Sequence, residues 1–321
     1  YKKGVGIATC WYGCGNTALP NPSTIKIGLT NTGRISLHQG ATDIGQGSNT
    51  VISQITADAI GVTMTNLDLV SPDTFLTPDC GKTSASRQTY VTGKAAYNAG
   101  LKLRSEILRL SNMGNDSNIK IEGNKIIISN QDKKQCIDLN SLDLIENNYV
   151  IVVEETYDPP TTSLDENGQG IPYAVYGYGA QMAEITIDTE LGLLKIDKIT
   201  AAHDLGKTIN PLLAEGQIEG GIAQGIGFAL MEEYIPSKTE NLHDYLIPSI
   251  GDVPEIESIL IEKNDPEGPF GARGLGEHVL IPTAPAILNA LRNATGAIVT
   301  KLPALPHRIL DAIEKTKNGT N

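Results

Sequence analysis

Long apolar runs, cationic excess and clustered cysteines are all missing from this chain. No stretch of its 321 residues is apolar enough to span a bilayer. Lysine and arginine total 25 against 37 aspartates and glutamates, a formal net charge of −12. That balance repels polyanions and argues against nucleic acid or an anionic membrane as partner. Only four cysteines occur: Cys10, Cys14, Cys80 and Cys136. One Cys-x3-Cys pair is no zinc framework, and an iron–sulfur cluster needs four well-spaced thiolates. Thiols of a reduced compartment are the simpler reading. The five histidines (His38, His203, His243, His278 and His307) are scattered and form no metal-binding pair. No dinucleotide fingerprint is present. No signal-like segment opens the sequence, so the expected compartment is the cytoplasm.

What the chain has is glycine, 33 residues of it, in a background that is 40% hydrophobic and 19% charged. Such a composition is globular and loop-rich, and the length suits one large or two ordinary domains. The glycines concentrate in two places. Asn210-Pro211 is a cap and first-turn proline for LLAEGQIEGGIAQGIGFALMEEY. Ile218, Ile222, Ile226 and Ala229 form an apolar helical stripe, and Gln217, Gly220, Gly221 and Gln224 form a second face. Glycines at 216, 220, 221, 225 and 227 interrupt it. Each costs about 0.8–1 kcal/mol relative to alanine in a helix interior. Close approach of a bulky ligand explains both the glycines and the glutamines; tight helix packing explains the glycines alone.

The second concentration is GARGLGEHVLIPTAPAILNALRNATG, residues 271–296. Thr283 is the expected cap of a helix, Pro285 lies in its first turn and Gly296 ends it. Glu277 stands on the glycine turn before that helix. A general base is often presented this way, and an ordinary acidic helix start has the same pattern. His278 adjoins Glu277 without having to share its direction.

A faint internal duplication runs through the chain. TIKIGLTNTGRISLHQG reads as a hairpin turning at Asn31–Gly33, followed by Asp43-Ile44-Gly45 and a helix over Ser48–Ile60 capped by Ser48 or Asn49. QMAEITIDTELGLLKIDKITAAH reads as a hairpin turning near Thr189–Gly192, followed by Asp204-Leu205-Gly206 and the Asn210-capped helix. Two similar α+β lobes follow, with helix starts of the kind that line clefts. Ser111–Asn148 is Asn/Lys/Ile-rich and reads as a peripheral excursion with a hairpin at IKIEGNKIIIS. Tyr157–Gly170 reads as a linker. The expected lobes are residues 1–156, with the excursion near 112–148, and residues 157–321, carrying Glu277.

Two segments of the first lobe suit an anion. Gly45-Gln46-Gly47 precedes a helix whose free N–H groups could hold a phosphate, although a lone Gly-x-Gly is more often a plain turn. Thr83–Thr89 precedes a helix starting near Tyr90 and offers hydroxyls, an amide and the Arg87 charge. A solvated capping loop would look the same.

In chain order, Asp43–Thr50 with Gln54, Ser84–Gly93, Asp204–Pro211, Glu215–Gly227, His243–Pro248 with Asp252–Ile256, and Gly271–Asn289 resemble the xanthine dehydrogenase/aldehyde oxidase family of molybdenum hydroxylases. The likeness is to the second half of the molybdopterin-binding portion. It implies an α+β fold of two similar mixed-sheet/helix lobes, the C-terminal half of the xanthine dehydrogenase-type molybdenum domain. It puts Glu277 at the family's catalytic base and Gln224 near an oxo ligand of the metal. Gly45, Gln46, Ala85, Ser86, Arg87 and Gln88 fall on pterin and phosphate contacts.

The implied cofactor is molybdopterin, in its cytosine dinucleotide form. It holds molybdenum by its own dithiolene, so no protein metal ligand is required. Iron–sulfur clusters and FAD are expected on partner subunits, together with a larger molybdopterin-binding subunit, because the family's earlier half is absent here. The chain is then either a split subunit or a fragment. Split nicotinate-oxidising members are the nearest likeness, which implies a small N-heterocyclic substrate. Hydroxide on the metal would attack an electron-poor ring carbon, Glu277 would take the proton, and hydride would pass to a sulfido or selenido ligand. Purine or aldehyde hydroxylation with the same machinery, or a non-catalytic buttress of the cofactor, are the alternatives. The family places the Trp11–Gly15 segment near the pocket. Trp11 and Tyr12 alternate in direction, and Tyr12 is chosen as the substrate contact, with a core or interface role as the competing reading.

Overall fold

The computed structural model describes residues 1–15, 19–146 and 148–319. In chain order the elements are β1 (Lys2–Cys14), β2 (Ser23–Thr30), β3 (Ile35–His38), α1 (Ser48–Ile60), β4 (Leu67–Val70), α2 (Gly93–Ser111), β5 (Asn118–Glu122), β6 (Lys125–Ser129), β7 (Lys134–Asp138), β8 (Tyr149–Tyr157), β9 (Val175–Asp188), β10 (Leu193–Asp204), α3 (Pro211–Leu230), β11 (Glu255–Ile261), α4 (Thr283–Thr295) and α5 (Pro306–Lys317). The class is α+β. Among the described residues no helix is long and apolar enough to cross a membrane.

The chain packs into two units. One comprises Tyr1–Tyr12, Tyr176–Lys263 and Leu275–Asn321; the other comprises Gly13–Val175 and Asn264–Gly274. We call them the Glu277 unit and the Arg87 unit. A single break near residue 157 does not describe this partition. β1 hydrogen-bonds beside β9, which carries the amino-terminal strand into the later unit, while residues 264–274 join the earlier one.

In the Arg87 unit the sheet order is β4-β3-β2-β8. β2 runs antiparallel to β3 and β8, and β3 runs parallel to β4. The alternation in STIKIGLT turns Ile25, Ile27 and Leu29 to a fully buried face. α1 adds Ile52, Ile55 and Ile60 to that core and α2 adds Leu103 and Ile107. The excursion is a separate antiparallel meander, β5-β6-β7. Arg104 of α2 anchors it through the carbonyls of Asn115 and Ser117.

In the Glu277 unit the order is β1-β9-β10-β11, with β9 antiparallel and β11 parallel to β10. Ile185, Ile187 and Ile199 of this sheet pack with Ile218, Ile222 and Ile226 of α3 and Ile287 and Leu291 of α4. Asn210 caps α3 by accepting from the Leu213 N–H at 3.1 Å, and Gly296 ends α4 in a left-handed conformation, φ 77°.

The duplication is therefore real at the level of topology. Each unit has an antiparallel hairpin, an Asp-x-Gly, a helix, and a strand parallel to the hairpin's second strand. Asp43 Oδ1 accepts from Gly45 N–H at 2.9 Å, and Asp204 Oδ1 accepts from Gly206 N–H at 3.0 Å.

Three local expectations are corrected. α1 is not capped by Ser48 or Asn49: the Asp43 carboxylate accepts from Gly47 and Asn49 N–H at 3.2 and 3.1 Å instead. Thr283 is the first residue of α4, not its cap, and its hydroxyl donates inward to Gln181 Oε1 at 2.7 Å. The helix expected at Tyr90 begins as a π turn, Gln88–Thr92, before α2 proper.

Candidate active site and cofactor loops

In the Glu277 unit, the glycine turn delivers Glu277 to the surface, where Tyr12 Oη donates to its Oε2 at 2.7 Å. A phenol has one hydrogen, so this bond commits the donor that was expected to meet a substrate. Trp11, the neighbouring residue of β1, is exposed and meets Tyr176 edge-on, with ring centroids 5.9 Å apart.

The stretch behind Glu277 is packed against α3. A Cβ on Gly225 would lie 2.4 Å from Thr283 Cβ, and one on Gly221 would lie 2.2 Å from Val279 Cγ2. These two glycines serve helix packing. Gly216 and Gly220 do not: nothing lies within 4 Å of a Cβ built on either. Gln224, beside them on the helix surface, is exposed. α3 thus joins a tightly packed glycine face to an open one, against which a flat group could rest.

Behind the turn lies a buried polar group that the sequence did not reveal. Gln181 Nε2 donates to the Val279 carbonyl at 2.6 Å and lies 3.2 Å from His203 Nε2. His203 Nδ1 lies 3.1 Å from His278 Nδ1. Burial, then the neighbouring His278, pushes the His203 pKa down to about 3. Cys10 donates its S–H to the His278 carbonyl at 3.3 Å, and burial pushes that thiol up to about 11. The inward alternation of β9, with a lone polar Gln181 before Ala183, Ile185 and Ile187, was the available signal for this group.

In the Arg87 unit, the two loops read as anion sites are brought together. Thr83 Oγ1 donates to the Thr42 carbonyl at 2.8 Å, and Gln46 Nε2 donates to the same carbonyl at 3.2 Å. Gly45, at φ 109°, has nothing within 4 Å of where a Cβ would stand. Ala85 and Ser86 both take left-handed conformations, φ 56° and 52°. Two such non-glycine residues in succession cost of order 1–3 kcal/mol each.

The Gly47 and Asn49 N–H groups at the start of α1 are not free for a phosphate. Asp43 occupies them, and although burial raises its pKa, the N–H groups of Asn49, Gly45 and Gly47 outweigh that and hold it below the ordinary carboxylate range. Arg87 is 1% exposed, and its guanidinium donates to the carbonyls of Cys80, Lys82, Asn21 and Pro22. Gln88 donates to the Lys82 carbonyl and Thr83 Oγ1 at 2.9 and 3.1 Å. Both side chains grip their own loop, so what this segment presents outward is the backbone and hydroxyls of residues 84–86. Among the described residues no group of three or more His, Cys, Asp or Glu is placed to hold a metal ion.

Comparison with known proteins gives a consistent picture. A family model described as the molybdopterin cofactor-binding domain matches residues 1–254. A putative xanthine dehydrogenase molybdenum-binding subunit of Escherichia coli (strain K12) is 33% identical over 327 residues, covering 97% of this chain and 42% of its own length. The 6-hydroxypseudooxynicotine dehydrogenase complex subunit gamma of Paenarthrobacter nicotinovorans is 29% identical over 300 residues, covering 88% of this chain and 36% of its own length. The crystal structure of an aldehyde oxidoreductase from Desulfovibrio desulfuricans superposes with a TM-score of 0.81 at 32% identity, over 97% of this chain and 32% of that one. The chain spans less than half the length of each.

Proposed function

The chain belongs to the xanthine dehydrogenase/aldehyde oxidase family of molybdenum hydroxylases, and from that membership we propose that it supplies the catalytic base and part of the cofactor cradle of such an enzyme. The observation that carries the reading is Glu277 on its glycine turn, held by Tyr12 at 2.7 Å. When bound, a molybdenum–pterin group supplies the two-electron oxidation and the transfer of a water-derived oxygen.

The residues present suit that group. Within the Arg87 unit the surface at Gly45 is open, and within the Glu277 unit the surface at Gly216 and Gly220 is open, so each leaves room for a flat ring system to approach. The backbone of Ala85 and Ser86 and the amide of Gln46 would hold pterin and phosphate oxygens. The side chains of Arg87 and Gln88 would support that loop from behind. Gln224, exposed on α3, would offer its side-chain amide to the group near the metal. The group would bring its metal with it, and the residues named here would hold that group by hydrogen bonds.

Glu277 accepts the proton lost as oxygen is delivered to an electron-poor carbon. Tyr12 fixes one carboxylate oxygen through a charge-assisted bond and so orients the base. In this reading Tyr12 acts on Glu277 and meets a substrate only as an acceptor.

Nicotinate is the first substrate we assign: nicotinate, water and NADP⁺ give 6-hydroxynicotinate, NADPH and a proton. A relative named for a pseudooxynicotine supports a heterocycle of this kind. Xanthine-type purines are the second reading, favoured by the 33% identical subunit. Partners would be a larger molybdopterin-binding chain or segment, an iron–sulfur subunit and a flavin subunit, with the cofactor in its cytosine dinucleotide form.

The test is a substrate screen of the purified complex with an artificial electron acceptor, run beside Glu277→Gln. That variant should keep its molybdenum and pterin and lose about 10²–10⁴-fold in turnover. Near-normal turnover in a fully loaded variant rejects Glu277 as the base. Oxidation of xanthine but not nicotinate by the wild-type complex moves the substrate to the second reading.

A further inference from the structure

Thr283, Gln181, His203 and His278 form a polar chain inside the Glu277 unit, each at most 1% exposed. The proton positions along it follow from which atoms can donate. The Val279 carbonyl only accepts, so the Gln181 atom 2.6 Å away is the amide nitrogen. Gln181 Oε1 then accepts from Thr283 Oγ1 at 2.7 Å. The second amide hydrogen is directed at His203 Nε2, 3.2 Å away, which must be the unprotonated nitrogen. His203 therefore carries its proton on Nδ1 and donates it to His278 Nδ1 at 3.1 Å, so the His278 proton is on Nε2. A second proton on either ring would set two N–H groups against each other. The depressed pKa of His203 agrees with a neutral ring.

The chain ends on the peptide groups that follow Glu277. The Val279 carbonyl is held by Gln181, the His278 carbonyl by Cys10 at 3.3 Å, and the His278 ring by His203. β9 makes room for both rings. A Cβ on Gly177 would lie 2.6 Å from His278 Nε2, and one on Gly179 would lie 2.4 Å from His203 Nδ1. Aliphatic side chains would fill this space without desolvating polar groups. They would not fix the rotation of the turn, because dispersion is non-directional whereas a satisfied hydrogen-bond chain specifies one arrangement.

We propose that His203 and His278, oriented by Gln181 and Thr283, form a neutral imidazole pair that positions Glu277 by locking the turn that carries it. The inference rests on the reading of Glu277 as the base. None of the four residues is required to touch substrate.

The first arm of the test needs no activity. In protein labelled with ¹⁵N-histidine, His203 should show a protonated Nδ1 and His278 a protonated Nε2, both neutral at pH 5. A proton on His203 Nε2, or a charged pair at pH 5, overturns the proposal. The second arm uses the loaded complex. Thr283→Val, which removes the donor to Gln181, should lower kcat by about 10- to 100-fold with KM within about twofold. Thr283→Ser, which keeps the donor, should restore kcat. Full kcat in Thr283→Val overturns the positioning role. Should Thr283→Val fail to fold, Gln181→Asn shortens the same link and is read the same way. Failure of the base assignment is seen separately, as full activity in Glu277→Gln with the histidine protons unmoved.

Discussion

Tyr12 has one hydroxyl hydrogen, and Glu277 takes it. Removing that bond with Tyr12→Phe should cost about 1.5–3 kcal/mol of transition-state stabilisation, the range for a hydrogen bond to a charged group. The loss should fall on kcat with cofactor content unchanged; a change confined to KM would return Tyr12 to substrate binding. At the same scale the thiols should differ in reactivity. Cys136 is exposed, whereas the Cys10 thiol is raised to about 11 and its hydrogen is engaged with the His278 carbonyl. Alkylation at pH 8 followed by peptide mass spectrometry should mark Cys136 first and spare Cys10. Equal labelling of both would show that the Cys10 site is open.

Among elements, α3 carries the clearest contrast. Gly225→Ala would drive a methyl to 2.4 Å from Thr283 Cβ and should destabilise by about 1–3 kcal/mol. Gly220→Ala meets nothing within 4 Å and should stabilise the unloaded chain by about 0.5–1 kcal/mol. If the open face of α3 receives the pterin–metal group, the same methyl lowers molybdenum loading. Thermal midpoints and metal analysis on the two variants check both signs, and a Gly220→Ala protein that loads normally removes α3 from the cradle.

The β9–β10 pair has its own signature. His203 has a folded pKa of about 3, below the ordinary 6.5. Between those values the unfolded chain binds a proton that the folded chain does not. Its contribution is therefore fully present above pH 6.5 and is lost as pH falls toward 3, with a slope of at most about 1.4 kcal/mol per pH unit. His203→Asn should flatten the acid side of a plot of thermal midpoint against pH; an unchanged slope would assign the acid sensitivity elsewhere.

For the whole molecule, the surface of the Glu277 unit is the open matter. Leu212, Phe228, Tyr234, Leu242, Leu246 and Ile250 are all exposed, Ile250 at 99%. Apolar surface of this kind suits contact with other chains or segments. Expressed by itself, the chain should self-associate. Leu242→Ser with Ile250→Ser should lower the mass seen by light scattering and leave circular dichroism unchanged, since neither side chain supports the core. Persistent association in that double variant would place the sticky surface elsewhere.

Part of the element order was legible in the sequence by itself, while β4, β8, β11 and α5 were not read from it. The helix over Ser48–Ile60, the hairpin turns and the Asn210 and Gly296 helix ends are local matters, set by periodicity and cap chemistry within a few residues. The repeat of hairpin, Asp-x-Gly and helix was visible for the same reason. Only the tertiary structure decided what the polar groups do. Arg87 looked like a phosphate ligand because its charge stands in a loop; its partners are carbonyls of residues 21, 22, 80 and 82, and no local pattern predicts them. Tyr12 and Glu277 are 265 positions apart, and Gln181 and Thr283 are 102 apart. β1 joins the later unit because it hydrogen-bonds beside β9, a pairing between strands remote in sequence. Local chemistry is short-ranged and can be read along the chain. The partners of a buried donor are fixed by which surfaces pack together, and that is settled only once the sheets and helices have closed on their cores.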